Sequence, residues 1–282
     1  VLATFSASRS TTTSSASENS TASDSSVYHL AMELRAKFHQ HLAELSKAVE
    51  QKDIELVRSL CKNLQSDIDE GFTREEIAPV IGGLFYQAVD SGNLAIVQCL
   101  IESDIGVNIN ERFAQHRHIS ALQLALNNEH HLVADYLASK GACVDYSKDS
   151  GEELTYSIQL SALAAVIDEP ERVKFFLEHG QWRQNSEGLY QALHKAILNN
   201  QTESIKCLAD KVDLNAPKMH LHYRLGGDVR PLRLAVSESN IDTIVELAKQ
   251  GADLNTDFSH LTEIAKERGN TFFNEYKVKM LP

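Results

Sequence analysis

Six times along the chain the same short phrase returns. An apolar residue of leucine type is followed three positions later by alanine. In five of the six, a β-branched or small apolar residue stands nine positions after the alanine, and in all six leucine stands twelve after it. The alanines are Ala48, Ala88, Ala125, Ala165, Ala196 and Ala235; the closing leucines are Leu60, Leu100, Leu137, Leu177, Leu208 and Leu247. This spacing describes a pair of short amphipathic helices repeated in tandem. A helix pair of that size cannot bury its own apolar face and has to stack on its neighbours. The chain is therefore expected to form an array, and arrays of this kind present extended surfaces for binding.

The phrase tells how the chain is built and the charge limits what it binds. The chain has 282 residues and a formal net charge of −12. A global negative charge opposes phosphate backbones and anionic membranes, which need clustered Lys and Arg, so neither nucleic acid nor a bilayer is an expected partner. No stretch of apolar residues is long enough to span a bilayer. Of four cysteines, Cys61, Cys99 and Cys207 fall on apolar helical stripes and none forms a CxxC pair. They read as reduced core thiols of a cytoplasmic protein.

Residues 6–26 are nearly all Ser, Thr, Ala and Asn, and the chain opens on Val1. Such a stretch lacks the apolar area to offset ordering entropy, so residues 1–26 are expected to be a disordered linker joined to a longer protein. From Val27 to Gln51 the spacing of Leu30, Leu34, Phe38, Leu42 and Leu45 predicts one long capping helix with Ser26 as N-cap. Residues 27–282 form the array. The second unit is typical: a first helix over Leu84–Asp90, a turn at Ser91-Gly92-Asn93, and a second helix over Leu94–Glu102. An excursion beginning at Val107 follows.

Ser120-Ala121-Leu122-Gln123-Leu124-Ala125, Ala192-Leu193-His194-Lys195-Ala196 and Pro231-Leu232-Arg233-Leu234-Ala235 resemble the ankyrin opening phrase Thr-Pro-Leu-His-x-Ala. Gly251-Ala252-Asp253-Leu254-Asn255 resembles the close of that repeat, and Gly141-Ala142-Cys143-Val144-Asp145 does so less cleanly. The resemblance covers residues 40–280 and implies an all-α ankyrin-repeat solenoid of about seven helix-turn-helix units. The seventh would be a worn cap with Leu261, Ile264, Phe272, Phe273 and Tyr276. Successive alanines stand 40, 37, 40, 31 and 39 apart, against about 33 in the family, so the connecting loops are enlarged. The fourth unit is irregular, with Leu163 one position off register. The divergent repeats resemble the ankyrin modules of bacterial effectors, which implies a place in a host cytosol or nucleus.

Two loops stand out from the acidic background. One holds Arg112, Phe113, His116, Arg117 and His118. The other holds Lys218, His220, His222, Tyr223, Arg224 and Arg230, with Gly226-Gly227 at a turn. In ankyrin-like folds these loops form fingers beside the concave face. Arginine and aromatic residues suit protein contacts, so the expected partner is a protein with an acidic or phosphorylated segment held by arginine forks; the bland alternative is solvated loops. Trp182, beside Arg183, is either a further contact residue or a plug for the irregular fourth unit.

The His-x-His pairs 116/118 and 220/222 lack a third ligand, so no metal is expected. No cofactor motif appears. The cysteines lie on buried stripes and Glu75-Glu76 reads as solvated loop, so no catalytic residue is assigned. The sequence thus predicts a protein–protein interaction scaffold, with a docking or regulatory arm of a larger enzyme or effector as the alternative.

Overall fold

The computed structural model describes residues 21–69, 72–111, 119–145, 161–217, 229–238 and 240–253. These residues form twelve helices in six successive pairs: α1 (Thr21–Gln51) with α2 (Ile54–Asp69), α3 (Arg74–Asp90) with α4 (Leu94–Glu102), α5 (Ala121–Asn127) with α6 (His131–Ser139), α7 (Ala162–Ala165) with α8 (Pro170–His179), α9 (Glu187–Leu198) with α10 (Thr202–Ala209), and α11 (Pro231–Glu238) with α12 (Ile241–Lys249). The architecture is an all-α array of helix hairpins. Among the described residues the extended structure is limited to an isolated parallel bridge between Cys143 and Gln181. The seventh unit, from Leu261 to Tyr276, lies outside the described residues.

The chain divides into two compact units, Val1–Ala121 and Leu122–Pro282. In the first, α1 packs on α2 and α3, and α4 packs on α2 and α3. Phe38, Leu42 and Leu45 are buried on α1 while Glu33, Arg35, Lys37 and Glu44 are exposed, as their spacing predicts. Phe38 stacks on Phe72 with ring centroids 4.2 Å apart. In the second unit α9 is the hub, in contact with α7, α10 and α11.

What makes each pair close is the repeat alanine. The backbone N–H five residues beyond it turns back onto its carbonyl: Asp53 to Ala48 at 3.0 Å, Asn93 to Ala88 at 3.1 Å, His130 to Ala125 at 2.8 Å, Gln201 to Ala196 at 2.8 Å and Asn240 to Ala235 at 3.2 Å. The residue four beyond the alanine takes a left-handed conformation, at Lys52, Gly92, Glu129 and Asn200. This is a Schellman closure, which satisfies the helix's last carbonyls and reverses the chain. Only one of the four left-handed sites carries the glycine that such a conformation favours. The alanine side chains at 48, 88, 125, 196 and 235 are at most 1% exposed.

The fourth unit departs from this, and the structure corrects its register. Ala164 and Phe176, both fully buried, occupy the places expected for Ala165 and Leu177. α8 opens at Pro170, six residues after Ala164, as the other second helices open six after theirs. Ser161 then falls where the other units hold the opening leucine. Its hydroxyl caps α7 through the Ala164 N–H at 3.2 Å and donates to the Gly188 carbonyl at 2.8 Å. A polar residue is stable there because its hydrogen bonds are complete. The turn bond is also replaced, with the Glu169 N–H going to Val166 O at 2.9 Å. The Ala164 carbonyl accepts the Lys195 ammonium at 2.9 Å.

Two further boundaries differ from the sequence reading. α1 begins at Thr21, so Ser26 lies within the helix and not at its N-cap; extending a nucleated helix over a polar stretch costs little per residue. α3 begins at Arg74 and runs through Pro79, Gly82 and Gly83. Glu75-Glu76 is therefore helical where a loop was expected. The apolar face of α3, with Ile77, Ile81, Leu84 and Phe85 buried, outweighs three residues of low helix propensity. The thiols also divide: Cys61 is buried, but Cys99 and Cys207 are half-exposed. Each of the latter lies eleven residues after its alanine, on the flank of the second helix and not on its buried stripe.

Replacing Leu100 or Leu208 with Ala removes a fully buried side chain; each change is expected to lower unfolding free energy by about 2–5 kcal/mol in urea titrations. Gly180 approaches the preceding excursion so closely that a Cβ would lie 2.3 Å from Val144 Cγ1 and 2.8 Å from Phe176 O. Gly180→Ala is expected to destabilise by about 1–3 kcal/mol, the range for overpacking, with a lowered thermal midpoint as the readout.

Candidate functional site

Residues 112–118, which hold Arg112, Phe113, His116, Arg117 and His118, lie outside the described residues, but the base of their loop is defined. Tyr86 is fully buried two residues before the repeat alanine Ala88. Its hydroxyl bridges the Glu111 carbonyl at 2.6 Å and the Ile119 carbonyl at 2.8 Å. One phenol therefore holds Glu111 and Ile119, the described residues on either side of residues 112–118. On the entering side, Asn108 holds the chain in a tight turn: its side chain accepts from the Asn110 N–H at 3.1 Å and its carbonyl from the Glu111 N–H at 3.1 Å.

The stems of the second loop are held differently. Lys218, His220, His222, Tyr223 and Arg224 lie outside the described residues, whereas Arg230 is described at the returning stem. Its Nε donates to the Asn215 carbonyl at 3.1 Å, which latches the end of the loop to its beginning. Arg230 is half-buried and Val229 beside it is fully buried. The geometry therefore gives Arg230 a place in the loop's base.

Asn215 belongs to a ladder that sets successive excursions in register. The Asp145 carboxylate accepts the Arg183 N–H at 2.7 Å, the Asn185 side-chain oxygen accepts the Asp213 N–H at 2.6 Å, and the Asn215 side-chain oxygen accepts the Asp253 N–H at 2.7 Å. Each rung joins the excursion of one helix pair to that of the next. Tyr190 adds a bond from its hydroxyl to the Asp213 carbonyl at 3.0 Å. Burial pushes the Tyr190 phenol's pKa above its ordinary value, although the Asp213 backbone hydrogen bond pulls it down. The neutral phenol remains the donor.

Trp182 is half-buried. Its indole N–H donates to the Leu177 carbonyl at 2.8 Å, and Lys211 Nζ lies 5.3 Å from the ring centroid. The indole thus supplies a donor at the C-terminal end of α8, and the lysine covers one ring face in a cation–π arrangement. Arg183 follows with an exposed side chain, its backbone fixed by Asp145. The structure brings Trp182 and Arg183 together beside the ladder, while Arg230 lies farther along it at Asn215. Among the described residues no group of three or more His, Cys, Asp and Glu side chains is placed to hold a metal ion; both His-x-His pairs lie outside them. No described helix is long and apolar enough to cross a membrane.

Tyr86, Asp145, Asn185 and Asn215 were not singled out by the sequence reading. A signal existed for two of them. Tyr86 holds the position filled by Gln123, His194 and Arg233 in other units, a polar place on an otherwise apolar helix. Asp145 closes the phrase Gly141-Ala142-Cys143-Val144-Asp145, as Asn255 closes the corresponding phrase from Gly251.

No protein-family model and no curated protein sequence matches this chain. Among solved structures, the chain is similar to the crystal structure of the human ASB11 ankyrin repeat domain, at 23% sequence identity and a TM-score of 0.41, over 60% of this chain and 70% of that one. It is also similar to the ankyrin repeat domain of Bcl-3, described as a unique member of the IkappaB protein family, at 17% identity and a TM-score of 0.43, over 73% of this chain and 97% of that one.

The ladder makes a graded prediction. Asp145→Ala leaves the Arg183 N–H without its acceptor and is expected to cost about 1–3 kcal/mol. Asp145→Asn keeps an acceptor oxygen, as Asn185 and Asn215 do naturally, and is expected to cost less than about 1 kcal/mol. Equal losses for the two variants in urea melts would refute the hydrogen-bond account. Tyr86→Phe is expected to cost about 1 kcal/mol and to speed amide exchange at Glu111.

Proposed function

We propose that the chain is a protein-interaction scaffold whose fingers contact an acidic or phosphorylated segment of a partner. The observation that carries this reading is the construction of the finger bases. Tyr86 clips both stems of the first, and Arg230 with Asn215 latches the second. A loop whose ends are fixed loses less entropy on binding than a free one. Binding residues in repeat proteins are characteristically carried on loops held by a rigid scaffold.

The chemistry of the fingers points to the class of partner. Residues 112–118 carry two arginines and two histidines without an acidic residue, in a chain of net charge −12. Guanidinium forks suit carboxylate and phosphate. Solvated contacts of this kind steer association and are screened by salt. Arg183 and Trp182 extend the contact surface of the C-terminal unit.

Each finger is tested on its own. Partners captured from lysate by the intact chain are re-measured against Arg112→Ala with Arg117→Ala, and separately against Lys218→Ala with Arg224→Ala. Each pair is expected to weaken binding by about 1–3 kcal/mol, the range for charged hydrogen bonds, and more at low salt than at high. Arg230 is left intact because its loss would disturb the stem. Wild-type affinity in both double variants, with no effect of salt, would place the contact on another surface.

A further inference from the structure

We draw no further inference here: the strongest candidate, the groove of about 610 Å³ between α6 and α8 lined by Asp135, Glu169, Glu171, Arg172 and Phe175, has its one cation already taken by Asp135 and Glu169, and nothing in the structure shows what covers it.

Discussion

The array depends on one backbone bond, made in five of the six helix pairs, from the N–H five residues past the repeat alanine to that alanine's carbonyl. It sets the angle at which the second helix leaves the first. It also explains why alanine recurs: a side chain larger than a methyl group at a fully buried position beside a tight turn would push the helices apart. The bond holds the left-handed residue in place even where that residue is Lys52, Glu129 or Asn200. Two hydrogen bonds per turn offset a backbone conformation that these side chains disfavour.

Above that closure the excursions are organised by side chains. The Asp145, Asn185 and Asn215 rungs each take one backbone N–H from the next excursion, in a region with almost no regular strand pairing. A hydrogen-bonded side chain thus does for these loops what a ladder of backbone bonds does in a sheet. Tyr86 and Arg230 then close the two long insertions at their bases. Both closures act on the stems, where the described chain meets the packed helices.

Much of this was legible in the sequence where periodicity governs it. The helix pairs and five of the six repeat alanines follow from apolar spacing alone, because a buried stripe tolerates few substitutions. The fourth unit was misread by one residue because Ser161 replaces the opening leucine, and a hydrogen-bonded serine carries no hydrophobic signal. The start of α3 was missed because Pro79, Gly82 and Gly83 resemble a turn until the apolar face running through them is known. The finger bases were invisible for another reason. A phenol that bridges residues 25 and 33 positions away leaves no local pattern. Arg230 looked like a free contact residue because sequence shows its charge and not its hydrogen bond to Asn215.

The fourth helix pair has little closure of its own. Ser161 is completed by Gly188 and Gln191, the Ala164 carbonyl by Lys195, Asp168 by Asn199 and Gln201, and the Ile167 carbonyl by Ser204. Every one of those donors and acceptors belongs to the fifth pair. In a stack treated as a chain of units with nearest-neighbour coupling, the intrinsic stability of the fourth is small and its coupling to the fifth is large. Order should therefore propagate from α9 and α10 back toward α7 and α8 during folding. A chain ending before α9 strips the fourth pair of all these partners and leaves it only its bonds to the third, among them Arg172 to Asp135 at 3.1 Å and the Arg183 N–H to Asp145 at 2.7 Å.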